Sequence, residues 1–350
     1  MILTALTLEA FRSYHKRSFT FSPETTLLVG PNAAGKTNVL EAIHMLALGK
    51  SFRADEDWEI VRWGSEIARL RGRVASQDGE TKLELVVTRG EVGGQKTPMK
   101  KHLVNGIARR QMDFVGNLRA VLFWPEDLEL ITDSPSLRRK YLDSVLVQTD
   151  REYRRNLLSY ERGVRQRNKL LDMISEGTAS ASQLLFWNQL LIKSGGFITD
   201  TRASYIAFVN AQRMRAAQFE IVYDKSVISA SRLSQYATEE IAAKVTLVGP
   251  HRDDFSVKLQ AGGVARDLSK FGSRGEQRLG VLWLKMAEVS FIEHQTGVRP
   301  ILLLDDIFSE LDAPHRKLVL ALVSQQQTII TSASEDIIRL LPNKAAIIRV

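Results

Sequence analysis

Residues Gly30-Pro31-Asn32-Ala33-Ala34-Gly35-Lys36-Thr37 spell a complete phosphate-binding loop, G-x-x-x-x-G-K-[ST], and nothing else in the chain restricts its fold as much. The two glycines let the backbone curl until its N–H groups point inward at phosphate oxygens. The lysine then reaches the β- and γ-phosphates, and the hydroxyl residue ligates Mg²⁺. The flanks suit this use. Thr25–Val29 (TTLLV) reads as a short buried strand, and Asn38–Leu48 carries apolar residues at 39, 40, 43 and 46, the period of a helix. Phosphates held here would sit on a helix N-terminus, where unpaired N–H groups and the helix dipole favour an anion. Gly30–Thr37 are therefore expected to bind a nucleotide.

At 350 residues the chain is long enough for two domains, or for one with a sizeable insertion. It contains no cysteine, which excludes disulfides, thiolate zinc sites and cysteine nucleophiles and suits a reducing cytoplasm. Met1–Ala10 has Glu9 and no basic start, so a first strand is expected there and not a signal peptide. No apolar run approaches the length that spans a membrane, and a soluble cytoplasmic protein is expected. The net charge of +8 suits an acidic partner such as nucleic acid, but it equally suits a surface tuned for solubility.

Three segments are expected. Residues 1–125 form a mixed α/β lobe with strands at 67–75 and 81–89, and a hairpin turn at Asn105-Gly106. Lys96, Lys100, Lys101, Arg109 and Arg110 cluster there, either as a DNA-facing patch or as charges that keep edge strands soluble. Residues 126–244 are helical, with a break at 177–182 between helices at 151–171 and about 183–218, an antiparallel hairpin or stubby arm. Arg151, Arg155, Arg162, Arg165 and Lys169 make a basic stripe on the first, a phosphate-contacting face or an ordinary solvated one. Residues 245–350 return to α/β. A strand is expected at Val245–Val248, a helix at about 275–294, a strand at 301–304, a helix after Pro314 and a strand at 328–331.

Ile301-Leu302-Leu303-Leu304-Asp305-Asp306 has the form of a Walker B strand, four aliphatic residues running into two carboxylates. An acid at that strand end lies where α/β sheets bind ligands, and it can share the Mg²⁺ that Thr37 touches. Asp305 is the expected metal residue, and Asp306 is expected to orient or deprotonate the attacking water. Ser273-Arg274-Gly275-Glu276 opens the helix at 275–294 and reads as a capping box. A serine hydroxyl and a glycine N–H at a helix N-terminus also make an anion site. About thirty residues ahead of the Walker B strand, this resembles the signature of ABC-type ATPases, which binds the γ-phosphate held by the other subunit. Ser309-Glu310-Leu311-Asp312 resembles that family's D-loop.

Motifs outside the nucleotide site narrow the resemblance. Phe11-Arg12-Ser13-Tyr14, Ser51-Phe52-Arg53, Phe123-Trp124-Pro125-Glu126-Asp127-Leu128, the stretch from Ser134-Pro135 through Arg138-Arg139 to Leu142-Asp143, Gly249-Pro250-His251-Arg252-Asp253-Asp254 and Ser273-Arg-Gly-Glu-Gln277 are similar, in order, to those of the RecF family of bacterial DNA-repair ATPases, relatives of SMC heads. Three departures stand out. Asp133 takes a position usually held by glycine, Thr331-Ser332-Ala333 occupies the region of the transporter switch histidine, and Asp306 replaces the usual glutamate, as in RecF. His251 is read as part of a turn, because no histidine here has metal-ligand spacing.

The resemblance implies an ABC/SMC-type P-loop ATPase head with an inserted helical arm domain. ATP and Mg²⁺ would be bound by Gly30–Thr37, Arg12, Ser273 and Gly275, with Lys36, Asp305 and Asp306 catalytic and Thr37 and Asp305 on the metal. It further implies an ATP-sandwiched homodimer with weak, DNA-stimulated hydrolysis, and binding to duplex DNA and to gapped or junction DNA. Partnership with RecR, and through it with RecO and RecA, in recombinational repair, replication restart and the SOS response to DNA damage is implied too. A small-molecule kinase, the ATPase of a transporter and a structural SMC-like head are the alternatives.

Overall fold

The loop strand Thr25–Val29 is buried at all five positions, because a strand inside a parallel sheet has packing on both faces. Five parallel strands form that sheet, in the order Ala120–Phe123, Ile301–Asp305, Thr328–Ser332, Thr25–Val29, Ala346–Arg349. One strand thus separates the loop strand from the Walker B strand. The computed structural model describes all residues but Asp78, Arg215, Gly262 and 342–344, and the side chains of Ala261, Glu310 and Pro314 also lie outside the described residues.

A second, antiparallel sheet runs in the order Tyr14–Thr20, Ile2–Phe11, Ile67–Ser76, Gly79–Thr88, Lys100–Val104, Ile107–Arg109. Asn105 and Gly106 close its last hairpin, both at positive φ (53° and 79°), the backbone that a two-residue turn of this hand requires. The loop helix Lys36–Leu48 packs on strands of both sheets. It buries Val39, Leu40, Ile43 and Leu46 completely, each contributing about 1.5–3 kcal/mol. These elements belong to one compact unit, Met1–Asp127 with Glu288–Val350; Leu128–Ala287 form another.

In the second unit, helices Arg151–Ser175 and Leu184–Ala211 pair antiparallel, with Tyr160 beside Gly195, Gly163 beside Leu191 and Arg167 bonded to Asn188. The second helix stops at Ala211, short of the expected 218; of that stretch Arg215 lies outside the described residues. Gln218–Asp224 is instead a strand, paired residue for residue with Asp254–Ala261. This ladder draws 245–287 into the second unit, whereas the sequence reading grouped them with 288–350. Val245–Val248 is not a strand. Its N–H groups find side chains: Thr246 N–H donates to Asn168 Oδ1 (2.8 Å) and Leu247 N–H to Glu240 Oε1 (2.8 Å). Asp133, where glycine was expected, has φ −107° and ψ −156°, extended backbone that any residue adopts.

The two motifs at 134–143 and 249–254 meet around one buried arginine. Arg202 donates to Asp143 Oδ1 (2.8 Å), Asp253 Oδ2 (3.0 Å) and Pro250 O (2.7 Å), while Tyr223 OH also donates to Asp253. Arg138 grips Asp254 with two bonds (2.6 and 3.0 Å), and Arg139 donates to Asp253 O (2.8 Å). Gly249 is needed in this turn: its φ is +125°, and a Cβ there would strike Tyr160 OH. His251 uses both ring nitrogens, with Tyr160 OH (2.8 Å) and Thr246 O (3.0 Å), and burial holds its pKa below the ordinary value. Charges taken from water must be paired to be tolerated, and these are.

Candidate functional site

The loop Gly30–Thr37 leaves its strand and enters its helix through Gly35, which has φ +100° and contacts on its open side. A Cβ at Gly35 would stand 2.9 Å from both Ser13 Oγ and Tyr14 OH, and Tyr14 OH donates to Gly35 O at 3.1 Å. The turn at Arg12–Tyr14 therefore braces the loop. On the other side, Val350 N–H donates to Val29 O (2.8 Å) where the chain's last strand runs beside the loop strand.

Lys36 Nζ donates to Gly30 O (2.7 Å) and Pro31 O (2.9 Å), so its ammonium lies over the loop it serves. Thr37 Oγ1 donates to Asp305 Oδ1 at 3.0 Å, and Thr331 Oγ1 donates to the same oxygen at 2.7 Å. One hydroxyl from the first turn of the loop helix, one from the strand Thr328–Ser332 and one nearly buried carboxylate thus converge at the C-terminal strand ends. Hard oxygen donors of this kind suit Mg²⁺, which is held by few protein ligands and by substrate phosphates. Asp306 follows in the left-handed region (φ 48°, ψ 22°), its N–H donating to Thr331 Oγ1 at 2.9 Å. Its carboxylate makes no bond among the described residues.

Arg12 is held by Glu41: Nε to Oε2 (3.0 Å), Nη2 to Oε1 (2.6 Å), with Nη1 on Glu59 O (3.1 Å). Arg53 Nη2 also donates to Glu41 Oε2 (2.6 Å) and to Asn38 Oδ1 (2.7 Å). Ser51 Oγ also donates to Glu41 (2.6 Å). Burial alone would raise the Glu41 pKa, but the bonds from Arg12, the Arg53 charge and the Ser51 bond outweigh it, and the carboxyl sits below its usual value.

The structure brings Gly30–Thr37, Asp305 and Asp306 to one end of the parallel sheet, with Arg12 on the flank of the loop. Ser273 and Gly275 belong to the second unit. There the capping box forms: Ser273 N–H and Oγ donate to Glu276 Oε2 (2.8 and 2.9 Å), and Glu276 N–H donates to Ser273 Oγ (3.3 Å). A Cβ at Gly275 would meet nothing within 4 Å. In the D-loop, Ser309 Oγ donates to Asp306 O (2.7 Å) and Asp312 caps the helix Ala313–Val323; the Glu310 side chain lies outside the described residues.

The two basic clusters differ in exposure. Lys100 is not part of an open patch: its ammonium binds Asp57 Oδ1 (2.5 Å) and Gly49 O (2.7 Å), leaving Lys96, Lys101, Arg109 and Arg110 exposed. All five stripe residues, Arg151, Arg155, Arg162, Arg165 and Lys169, are exposed. Sequence reasoning assigned no site role to Glu41, Tyr14 and Thr331. Glu41 had one signal, a lone acid between apolar neighbours of a helix.

The profile of the RecF/RecN/SMC N terminal domain matches residues 2–349. The DNA replication and repair protein RecF of Lachnoclostridium phytofermentans is 36% identical over 343 residues, covering 95% of this chain and 92% of its own length. That of Roseiflexus castenholzii is 38% identical over 376 residues, covering 96% and 94%. The chain belongs to the RecF family. A solved structure of the recombination mediator protein RecF-ATPrS in the RecFOR pathway superposes with TM-score 0.87 at 30% identity, covering 99% of this chain and 95% of that one. The corresponding RecF-ATP structure gives 0.86 at 31%, covering 96% and 92%. An SMC head bound to the C-winged helix domain of ScpA shares the fold, with TM-score 0.53 at 16% identity, covering 100% of this chain and 94% of that one. This RecF-family chain therefore has the ABC/SMC-type ATPase head fold.

Proposed function

We propose that this chain is an ATP-dependent DNA-binding protein of replication and repair, which hydrolyses ATP slowly. The carrying observation is the bond between Thr37 of the phosphate loop and Asp305 of the Walker B strand, 268 residues apart in sequence. Relatives named as RecF-ATP support the nucleotide. In this reading Lys36 exchanges the Gly30 and Pro31 carbonyls for phosphate oxygens, and Arg12 exchanges Glu59 O for another. Thr37 and Asp305 would hold Mg²⁺, which when bound neutralises charge on the β- and γ-phosphates. Asp306 would orient or deprotonate the attacking water. In this reading Met1–Asp127 and Glu288–Val350 supply the phosphate loop and the Walker B strand of the ATPase head, and Leu128–Ala287 supply the arm together with Ser273 and Gly275.

Ser273 and Gly275 of one copy would bind the γ-phosphate held by another, so that ATP joins two subunits and hydrolysis releases them. The closed pair binds duplex, gapped or junction DNA through phosphates and shape. RecR, with RecO and RecA beyond it, is the partner that family membership and the RecFOR pathway support. No helix among the described residues is long and apolar enough to cross a membrane; we place the protein in the cytoplasm.

The test is fluorescence anisotropy of a labelled gapped duplex, titrated in ATP and then in ADP. Tighter binding in ATP supports nucleotide-gated clamping, and equal binding in both removes it. Lys36→Ala should weaken ATP about tenfold to a hundredfold, the worth of charge-assisted hydrogen bonds, and abolish the difference between nucleotides. DNA affinity should fall steeply with salt; a flat dependence would count against phosphate-dominated contact. Steady-state turnover should lie below about 10 s⁻¹, the median for enzymes.

A further inference from the structure

Trp63 stands 89% exposed, although tryptophan is a large apolar side chain and highly buried on average. Trp58 is 40% exposed, and the exposed Arg89 sets its guanidinium carbon 5.8 Å from the centroid of each of these two rings. Two indoles thus share one cation, which favours both rings where they stand. The backbone beneath them is fixed. Arg12 N–H donates to Ile60 O (2.8 Å), Arg62 N–H donates to Ala10 O (2.9 Å), and Val61 pairs with Phe11, so the strand Ile2–Phe11 holds this segment along its length. Ser65 N–H returns to Arg62 O (3.0 Å) and Gly64 has φ +78°, which makes Trp63 and Gly64 the corner of a tight turn.

Aromatic rings held in this way lose little freedom when they are covered, and tryptophan and arginine are the usual anchors of protein interfaces. The surrounding charges select the partner. Residues 55–66 contain five acids, Asp55, Glu56, Asp57, Glu59 and Glu66, and one base, Arg62, in a chain of net charge +8. Asp57 is paired with Lys100, while Asp55, Glu56, Glu59 and Glu66 are exposed. Carboxylates on the same short segment as the rings repel the phosphates of nucleic acid and attract cations. A partner's lysine or arginine would find an exposed indole to lie on and carboxylates to pair with.

We propose that Trp58 and Trp63, with the Arg89 they share, form a docking surface for another protein, one that presents lysine or arginine among aliphatic side chains. The aliphatic groups cover the indoles and the cations meet the acids of 55–66. Neither indole belongs to the nucleotide site described above, so the assignment stands apart from the ATP reading.

The test is fluorescence anisotropy of the full chain with a labelled amphipathic peptide of leucine and lysine. A leucine–glutamate peptide of the same pattern and a labelled oligo-dT serve as comparisons. The lysine peptide should bind and the glutamate peptide should not. Trp63→Ala should weaken the lysine peptide about tenfold or more, the scale of an interface anchor. Trp63→Phe should recover part of this, since a ring is kept. Asp55→Lys combined with Glu56→Lys should also weaken binding, by a factor that shrinks as salt is raised. Thermal melting and ATP turnover should match wild type in every variant. A lysine peptide that does not bind, or that binds Trp63→Ala or the charge-reversed variant as well as wild type, overturns the proposal. Preference for the glutamate peptide overturns it too. A Trp63-dependent affinity for oligo-dT would give the rings to unpaired bases, and a Trp63-dependent affinity for ATP would give them to the nucleotide. Self-association lost in Trp63→Ala, read by sedimentation, would give them to a second copy of this chain. Each of these three outcomes also overturns the proposal.

Discussion

Asp306→Asn is expected to lower ATP turnover about 10²- to 10⁴-fold, the usual contribution of a positioned proton acceptor. ATP binding should be nearly unchanged. The residue is held by its backbone, not its side chain. Its N–H is fixed by Thr331 and its φ of 48° turns the chain at the end of the Walker B strand. Asparagine tolerates the same left-handed conformation and has the same shape, so the turn survives and only the basicity is lost. The variant should also stay longer as an ATP-held dimer on DNA, because the step that removes the γ-phosphate is blocked. Phosphate release measured beside nucleotide titration checks the first point, and size-exclusion chromatography in ATP the second. Wild-type turnover in the variant would remove Asp306 from the chemistry.

Arg202→Ala is expected to destabilise the fold by about 3–5 kcal/mol, the cost of leaving buried charge without its partner. Asp253 is fully buried and would lose its guanidinium; Asp143 would lose its own, and Pro250 O its donor. A cavity would open as well. Lysine is not an adequate substitute, since one ammonium cannot reach two carboxylates and a carbonyl in fixed directions. Urea unfolding gives the number, with Arg165→Ala as the contrast. That exposed stripe residue should shift stability by no more than about 0.5 kcal/mol. Equal stability of the two variants would show that the network around Arg202 is not what holds the 134–143 and 249–254 motifs together.

Much of the local geometry of the candidate site was legible in the sequence because its motifs are short-range. A loop with glycine at a position of φ +100° and a lysine next to it states its backbone and its use within eight residues. The strand Thr25–Val29 and the helix that follows were equally plain, since an apolar run and a helical period are short-range signals. Val245–Val248 shows where that logic stops. Its apolar character suits a strand, but the N–H groups of Thr246 and Leu247 are met by Asn168 and Glu240, which no local pattern announces. The helix forecast to 218 stopped at Ala211 for a related reason, because Gln218–Asp224 had its ladder partners thirty to forty-two residues ahead.

The sequence by itself determined the phosphate loop, the acid-ended strand, the capping box at Ser273 and the kinship that its motifs carry. Each depends on residues within one or two turns of chain. Only the tertiary structure decided that Thr328–Ser332 lies between loop and acid strands, that Thr331 touches both aspartates, that Lys100 turns inward, and that Glu41 gathers Arg12 and Arg53. A buried charge has to find a counter-charge wherever the fold supplies one, and that choice belongs to packing across the whole chain.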